Sequence, residues 1–315
     1  MRILMTNHSL QYIGGTEKWT HAMAAELLRR GHDVDVFTFM SGIASDHIEQ
    51  LGARVVTEVP TGAYDLILAN HNTCQAATAA VLGYRIYTSH GPRHPLEIPQ
   101  PGAQAYVGVS AEVRAALAIR GITAQVITNG VDLMQFCPDR DRPDPDDHDP
   151  RVLAVCKNSG ASALVAGACR GLGLELAGAH YLEHPVWDMA QLMRWADVVV
   201  GCGRSAIEAL ACGCSVYVMD ARSEGSPQAD GWLTAANVEH LRQCNFSTRA
   251  YGRARDQESI ARDLATIPSA EWAREWAIIN ADIVTKARAY LDLYAGRQDE
   301  TDETAEYERI ERTDG

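Results

Sequence analysis

The segment "VVVGCGRSAIEALA", residues 198–211, combines an apolar strand, a glycine-rich corner and the start of a helix. Gly201 and Gly203 free the backbone from side-chain constraints, and the amides near Ser205 and Ala206 begin the helix. Unpaired amides at a helix N-terminus bind anions. The corner is therefore a candidate phosphate site.

Glu208 lies about one turn into this helix, beyond the N-cap but within reach of a group bound at the corner. A carboxylate accepts two hydrogen bonds at once and suits the vicinal hydroxyls of a ribose. The alternative is a solvated glutamate that the helix dipole stabilises. The apolar residues on both sides, at 206–207 and 209–211, are typical of a core, and they favour the ligand-binding role.

A second glycine-rich corner, "GGTEK", lies between the first predicted strand and the first predicted helix. Gly14 and Gly15 allow the backbone to approach a phosphate, and Thr16 is the predicted N-cap of the helix. Two glycines before a helix are equally typical of a tight turn. One such corner in each half of the chain favours phosphate binding more than a single corner does.

His90 follows the predicted strand "YRIYTS" in the loop "SHGPRHP". The loop lies at a carboxyl end of the first predicted sheet, where ligands of such sheets bind. Taken alone, His90 is read as an ordinary loop histidine. Arg93 and His94 are weaker candidates for contacts to an acceptor or to phosphates.

Short apolar strands alternate with helical segments along most of the chain. In the first helix Trp19, Met23 and Leu27 recur at i, i+4 and i+8. Such alternation predicts parallel strands joined by helical crossovers. The predicted fold class is α/β, with two Rossmann-like, doubly wound parallel-sheet domains that face a cleft.

Changes in composition set the predicted domain boundaries. Residues 1–137 form an N-terminal domain, residues 138–150 an acidic, proline-rich linker, and residues 151–275 a C-terminal domain. One continuous amphipathic helix closes the folded part of the chain and ends near Gly296, with Trp272, Trp276 and Ile279 as its apolar stripe. Its residues 276–296 are assigned to a separate C-terminal element. Residues 297–315 are predicted to be an acidic, disordered tail.

The net charge of -13 is unevenly distributed. Residues 139–149 carry six acids and two arginines, and residues 297–315 carry eight acids and three arginines, which leaves -4 for the rest. The sequence shows no basic stripe, so nucleic acid is disfavoured as a partner.

The expected location is the cytoplasm. The chain opens with the strand "MRILMTN", without a charged and then apolar signal region, and its longest apolar window is broken by Arg170 and Glu175, so no membrane span is predicted. The eight cysteines show neither a CxxC pair nor the spacing of a disulfide framework. They are expected to be small apolar residues rather than metal ligands.

Five segments together resemble the retaining glycosyltransferases of the GT-B fold, in particular family four. They are "GGTE", "TSHGP", "VSAEVRAAL", "VITNGVDLMQFCP" and "GCGRSAIEALACGCSV". The resemblance covers most of the chain up to about Trp232. Its most specific parts are "NGVD" at residues 129–132, with Phe136 and Pro138, and the helix around Glu208.

The resemblance implies roles for individual residues. In the family, two glutamates separated by seven residues flank the corner, and the second binds the nucleotide ribose, which matches Glu208. The family histidine that faces the donor sugar matches His90. Val200 stands in place of the first glutamate, which contacts the donor sugar; Lys157 falls at the position of a family arginine, and Ala163 near that of a lysine.

The implied activity is transfer of a sugar from a nucleoside-diphosphate sugar with retention at the anomeric carbon. The amides at Gly15 and Ser205 and the cations of Lys157 and Arg204 are expected to stabilise the leaving diphosphate. No Asp-x-Asp motif lies at a strand end, so neither a metal nor another cofactor is expected. The acceptor is left open among a glycan, a lipid, a protein and a small molecule.

The residues also bear on two other function classes. A catalytically degenerate binder of nucleotide sugars, used as a partner subunit or scaffold, is favoured by Val200 and Ala163, whereas His90, Glu208 and the two corners favour an enzyme. A dinucleotide-dependent oxidoreductase is disfavoured, because "GGTE" is not GxGxxG and no acid clearly closes the second strand.

Overall fold

The computed structural model describes residues 1–139, 148–178, 186–220 and 227–296. Most of the predicted linker at 138–150 and the whole predicted tail at 297–315 lie outside the described residues. The described residues form two β-sheets, each flanked by helices.

The first sheet and its helices take up the chain as far as residue 126. Their bounds are β1 Arg2–Ser9, α1 Gly15–Arg29, β2 Asp33–Met40, α2 Ile43–Gln50, β3 Arg54–Val56, β4 Ala63–Asn70, α3 Asn72–Ala77, β5 Leu82–Ser89, a 3₁₀ turn Pro95–Glu97, β6 Ala105–Gly108, α4 Ala111–Ala118 and β7 Gln125–Val126.

The second sheet and the remaining helices follow from residue 151. Their bounds are β8 Arg151–Val155, α5 Ser159–Leu172, β9 Glu175–Gly178, α6 Met189–Trp195, β10 Val198–Gly201, α7 Arg204–Ala211, β11 Ser215–Asp220, β12 Gln228–Trp232, α8 Val238–Arg242, β13 Arg253–Ala254, α9 Gln257–Leu264 and α10 Glu271–Asn280. A last helix, α11, covers residues 283–296.

Both sheets reverse their strand order once. The first sheet has the order β3-β2-β1-β4-β5-β6-β7 with parallel pairings throughout its described strands. The second has the order β13-β12-β11-β10-β8-β9, in which β12 pairs antiparallel with both β11 and the edge strand β13. The predicted α/β fold with two doubly wound, mainly parallel sheets is confirmed. Ligands of such sheets bind at the carboxyl ends of the strands beside the reversal, here β1 and β4, and β8 and β10.

The apolar period in α1 explains how this helix covers the first sheet. Trp19, Met23 and Leu27 are 2%, 0% and 0% exposed and pack with residues of β1 and β4. The helix begins at Gly15, immediately after the corner "GG". Burial of this stripe therefore fixes the corner beside the carboxyl end of β1.

The predicted single C-terminal helix is wrong, because the chain breaks between α10 and α11. The Val131 amide donates to the Ala281 carbonyl over 2.8 Å, and the Ile283 amide donates to the Val131 carbonyl over 3.0 Å. This short parallel bridge gives the Ala281 carbonyl and the Ile283 amide a partner outside the helices, and it redirects the chain.

The buried face of α10 also differs from the predicted stripe. Ala273 and Ala277 are fully buried, and Trp272 and Trp276 pack partly buried against the same core. Ile279 is 68% exposed. The small alanines allow α10 to approach α7 closely, and this turns Ile279 outward.

Helix α11 returns the chain to the first sheet, where Ile283, Ala287 and Tyr290 join the core and are at most 1% exposed. A chain that ends at residue 280 is expected to lose roughly 3–5 kcal/mol of unfolding free energy relative to one that ends at residue 296. This corresponds to about 10 °C in melting temperature, which scanning calorimetry measures. Equal melting temperatures for the two chains would contradict the docking of α11.

Candidate functional site

A buried ion pair lies on α7 at the floor of the cleft between the sheets. The Nε of Arg204 donates to Oε1 of Glu208 over 2.7 Å, and Nη1 of Arg204 donates to the carbonyl of Gly130 over 2.9 Å. The two side chains are 8% and 4% exposed. The core position predicted for Glu208 is therefore correct, and its carboxylate already holds a cation four residues earlier on the same helix.

A pocket from the two halves of the chain surrounds this pair. Its walls come from α1, from the segment after β7 and from the segment before α6. Besides Arg204 and Glu208, it is lined by Lys18, His21, Ala22, Ala25, Asp132, Gln135, Phe136 and Trp187. The predicted ribose carboxylate thus faces a pocket between the two sheets.

Lys18 and Trp187 close one side of the pocket. The Lys18 ammonium donates to the carbonyl of Trp187 and lies 3.8 Å from the centroid of its indole ring. Burial lowers the pKa of Lys18 to about 8, although the Glu208 carboxylate acts in the opposite direction. The His47 ring stacks on Trp187 with centroids 3.7 Å apart, and His21 meets its edge.

The first glycine corner holds an anion of its own chain. Gly14 is the N-cap of α1 and makes no side-chain cap, so the prediction that Thr16 caps the helix is wrong. Thr16 lies inside the first turn instead, and its hydroxyl donates to Oε2 of Glu17 over 2.9 Å. A side chain at Gly14 would collide with the Glu17 carboxylate, which folds back onto the corner. A phosphate bound near Gly15 would meet this carboxylate as well as the helix start.

Glu17 also connects the corner to the second sheet. Burial raises the pKa of Glu17, and the charge of Lys157 opposes that rise. Lys157 follows β8 and has an exposed side chain, so its ammonium acts on Glu17 from the opposite side of the cleft. The structure thus brings the predicted donor residue Lys157 near the corner at Gly14 and Gly15.

The second glycine corner is built on a left-handed backbone conformation. Gly203 has φ 62° and ψ −125°, a region that favours glycine, and its amide donates to the carbonyl of Phe246 over 2.7 Å. Helix α7 begins at Arg204, so the amide of Ser205 belongs to the first turn, whose amides have no intrahelical acceptor. Gly201 ends β10 directly before this turn.

Val200, which stands in place of the first family glutamate, does not face the cleft. Val200 is fully buried in a core with Val152 and Tyr217, beneath α5. A central strand is covered on both faces, and the alternation along β10 directs this side chain away from the corner. A carboxylate does lie at the corner: Asp220 accepts the Lys157 amide over 3.2 Å and lies 3.4 Å from the Cys202 sulfur.

His90 lies directly after β5. Its Nε2 is 3.2 Å from Oδ1 of Asn70, and its ring meets the Trp19 indole edge-on at 5.1 Å. Burial lowers the pKa of His90 to about 3, and the nearby His71 and Arg204 add to this shift. The imidazole is therefore neutral at pH 7, and the Arg204 guanidinium from the second sheet lies close enough to act on it.

Arg93 and His94 lie further along the same loop and are exposed. Nδ1 of His94 accepts the amide of Leu96 over 3.3 Å, so His94 starts the 3₁₀ turn. Both residues belong to the loop that follows β5 of the first sheet. Neither lines the pocket around Glu208.

Several residues of the site were missed from the sequence. Lys18 follows Gly15 by three residues, so its position at the start of a helix is a usable signal. Trp187 precedes α6 and had no signal, because its partners lie far away on α1 and α2.

No cluster of three or more His, Cys, Asp or Glu side chains suited to a metal ion occurs in the part of the chain that the structure describes. None of the helices within the described ranges has the length and apolar character needed to cross a membrane.

Comparison with known proteins identifies the fold. No protein-family model matches the chain, and no curated protein matches it in sequence. Among solved structures it is similar to HepE of Anabaena in complex with UDP-glucose, with a TM-score of 0.62, 18% identity, and coverage of 94% of this chain and 100% of that one.

Two further structures agree. Sucrose-phosphate synthase of Thermosynechococcus elongatus matches with a TM-score of 0.60 and 14% identity over 94% of this chain and 98% of that one. A glycosyltransferase of Rickettsia africae matches with a TM-score of 0.58 and 15% identity over 93% and 97%. Across nearly its whole length, the chain has the fold of the GT-B glycosyltransferases.

Proposed function

We propose that this protein is a glycosyltransferase that moves a sugar from a nucleoside-diphosphate sugar to an acceptor, with retention and without a divalent metal. One observation carries the proposal: in a chain with the GT-B fold, the buried pair of Glu208 and Arg204 faces a pocket between the two sheets, and the charge of Arg204 acts on the neutral His90 of the first sheet. The acceptor is a glycan, a lipid, a protein or a small molecule.

The donor is proposed to lie along the carboxyl ends of β8 and β10. Glu208 accepts the ribose hydroxyls with the carboxylate oxygen that Arg204 leaves available, and the first turn of α7 faces the diphosphate. Lys18 and Lys157 add positive charge from the two sides of the cleft. The complex of HepE with UDP-glucose supports a nucleotide sugar as the donor class.

In the proposed reaction the bond between the anomeric carbon and the phosphate oxygen breaks, and its electron pair leaves with the diphosphate. The acceptor oxygen bonds to the anomeric carbon on the same face, and its proton passes to the departing phosphate. His90 is neutral, so it supplies a hydrogen-bonding imidazole toward the sugar rather than a second positive charge. Retention rests on the resemblance of the sequence motifs to family four.

Charge on the leaving group is proposed to be balanced by Arg204, Lys18, Lys157 and the start of α7 rather than by a divalent ion. Turnover in EDTA is therefore expected to equal turnover with added Mg²⁺, as measured by release of nucleoside diphosphate. Activity that disappears with EDTA and returns with Mg²⁺ would sink this part of the proposal.

The depressed pKa of Lys18, about 8, gives donor binding a pH dependence. Below this pH the ammonium attracts the diphosphate, and above it the neutral amine does not, so affinity is expected to fall as the pH rises from 7 to 9. Calorimetric titrations across this range measure the effect, and Lys18→Met is expected to abolish the slope. The same slope in both proteins would assign it to another group.

A panel of UDP-, GDP-, ADP- and TDP-sugars tests the donor class. A ligand that binds only the folded state raises the melting temperature, by an amount that grows with its concentration above Kd. At least one nucleotide sugar is expected to stabilise the protein, and the free sugar is not. No shift with any member of the panel would contradict the donor class.

The second candidate is a non-catalytic nucleotide-sugar binder that serves as a partner subunit or scaffold. Two observations favour it: Val200 replaces the family glutamate by a core residue, and the Glu17 carboxylate lies on the first corner. It predicts binding without turnover. Release of diphosphate from a bound donor therefore separates the two candidates.

A further inference from the structure

The loop from His90 to Glu97 closes on itself through a buried carboxylate. Oε2 of Glu97 accepts the backbone amide of His90 over 2.6 Å. Glu97 lies at the end of the 3₁₀ turn and is only 7% exposed. Glutamate side chains are rarely buried unless they are paired. The contact fixes the backbone at the residue whose imidazole faces the cleft.

The second oxygen of Glu97 faces another histidine. Oε1 lies 3.7 Å from Nε2 of His71, and Nδ1 of His71 accepts the amide of His8 over 3.0 Å. Because Nδ1 is an acceptor, the hydrogen of a neutral His71 is assigned to Nε2, which faces Glu97. The separation is too long for a hydrogen bond, so the interaction is electrostatic.

His71 is held in an uncommon backbone conformation. It has φ 64°, in the left-handed region, and is 6% exposed at the end of β4. Such a conformation costs free energy in a residue with a side chain, and it persists only where the surroundings enforce it. Strained residues cluster at functional sites, and this one stands at the strand-order reversal between β1 and β4.

The ring of His90 is restrained separately from its backbone. Asn70, the last residue of β4, lies 3.2 Å from Nε2, and the Trp19 indole packs against the ring. Glu97 supplies the restraint on the main chain. Burial raises the pKa of Glu97 to about 7, although the amide of His90 opposes the rise. The ionisable carboxyl group of Glu97 is therefore buried at its contact with the His90 amide.

We propose that Glu97 is a positioning residue, whose carboxylate holds the His90 backbone at the end of β5 so that the imidazole meets the donor sugar in a fixed orientation. The inference rests on the proposed function of His90. His71 is the partner that keeps the second carboxylate oxygen oriented. Glu97 itself touches neither the donor nor the acceptor.

Three proteins test the inference: the wild type, Glu97→Ala and Glu97→Gln. The glutamine keeps an oxygen for the His90 amide, but its NH₂ group then meets the Nε2 hydrogen of His71, so rescue is expected to be partial. Glu58→Ala and Glu58→Gln are the matched controls, because Glu58 is exposed between β3 and β4. The controls are expected to behave as wild type.

We expect Glu97→Ala to lower kcat by about 10- to 100-fold, because small misplacements of a catalytic group are costly, while the donor Kd changes less than about twofold. Glu97→Gln is expected to recover to within about threefold of wild type. Equal losses in the two variants, or a loss that appears entirely in the donor Kd, would overturn the inference.

A second readout does not depend on turnover. In ¹⁵N-detected spectra of the histidine rings, the His90 signal, assigned by its loss in His90→Gln, is expected to shift or broaden in Glu97→Ala and to stay near its wild-type position in Glu97→Gln. An unshifted His90 signal in Glu97→Ala would overturn the positioning role.

If the wild type turns over no nucleotide sugar, the proposed function fails, while the spectra still decide the role of Glu97. If Glu97→Ala does not fold, the spectrum of Glu97→Gln decides: a displaced His90 signal in this folded variant would overturn the inference.

Discussion

Replacing His90 by alanine is expected to lower kcat by roughly 10²–10³-fold while changing the donor Kd by less than about threefold. His90 is neutral because burial, His71 and Arg204 lower its pKa to about 3. A neutral imidazole fixed by Asn70 and Trp19 interacts with the sugar most strongly when charge develops at the anomeric carbon. The effect therefore appears in the chemical step, and initial-rate kinetics combined with calorimetric donor binding measures it.

His32→Ala is the matched control for this experiment. His32 lies at the far end of α1, away from the cleft, and its ring contacts the chain N-terminus. The control is expected to keep wild-type kcat. A His90→Ala protein that loses donor affinity in proportion to kcat would instead assign His90 to ground-state binding.

Replacing Glu208 by alanine is expected to lower the stability of the fold strongly. The substitution leaves the Arg204 guanidinium buried, with the Gly130 carbonyl as its one remaining hydrogen-bond partner among the described residues. Breaking a buried ion pair from one side costs about 3–5 kcal/mol, because the remaining charge is uncompensated. Urea denaturation of Glu208→Ala is expected to show a loss of this size.

A paired design separates this stability effect from ligand binding. Glu208→Gln keeps an oxygen for Nε of Arg204, and the double variant Arg204→Met with Glu208→Leu removes both charges together. The double variant is expected to regain most of the lost stability. Neither protein is expected to bind the donor as wild type does, with a loss of about 1–3 kcal/mol for unpaired ribose hydroxyls. Wild-type affinity in the double variant would remove Glu208 from the donor site.

Local pattern was sufficient for most elements of the fold. The period of Trp19, Met23 and Leu27 places α1 correctly, and alternation of strands and helices gives both sheets. The sequence pattern predicts a helix near residues 74–82, whereas α3 ends at Ala77 and Leu82 already belongs to β5. Apolar residues at this boundary suit a helix end and a strand start equally well, so periodicity alone does not separate them.

Contacts between distant residues were out of reach. The break between α10 and α11 depends on Val131, about 150 positions earlier, and no feature of "IINAD" indicates it. Glu97 and His71 are likewise brought together by the order of β4 and β5 in the sheet. Such pairings can be predicted only after the strand order of the sheet is known.

Two features of the site follow from local spacing in the sequence. Arg204 and Glu208 stand four residues apart on one helix, a spacing that brings opposite charges together. Val200 alternates with Val199 on a central strand, where both faces are covered. Helix spacing and strand alternation, applied at these positions, predict the ion pair and the core position of Val200.

Release of nucleoside diphosphate measures the central claim most directly. The nucleotide sugar that raises the melting temperature most is incubated with the wild type, His90→Ala and Glu208→Gln, with a cellular lysate as the acceptor pool, and free diphosphate is quantified. The wild type is expected to release diphosphate together with a glycosylated product, and the two variants at strongly reduced rates. Complete inactivity of the wild type toward every nucleotide sugar that binds it would contradict the enzyme and favour the non-catalytic binder.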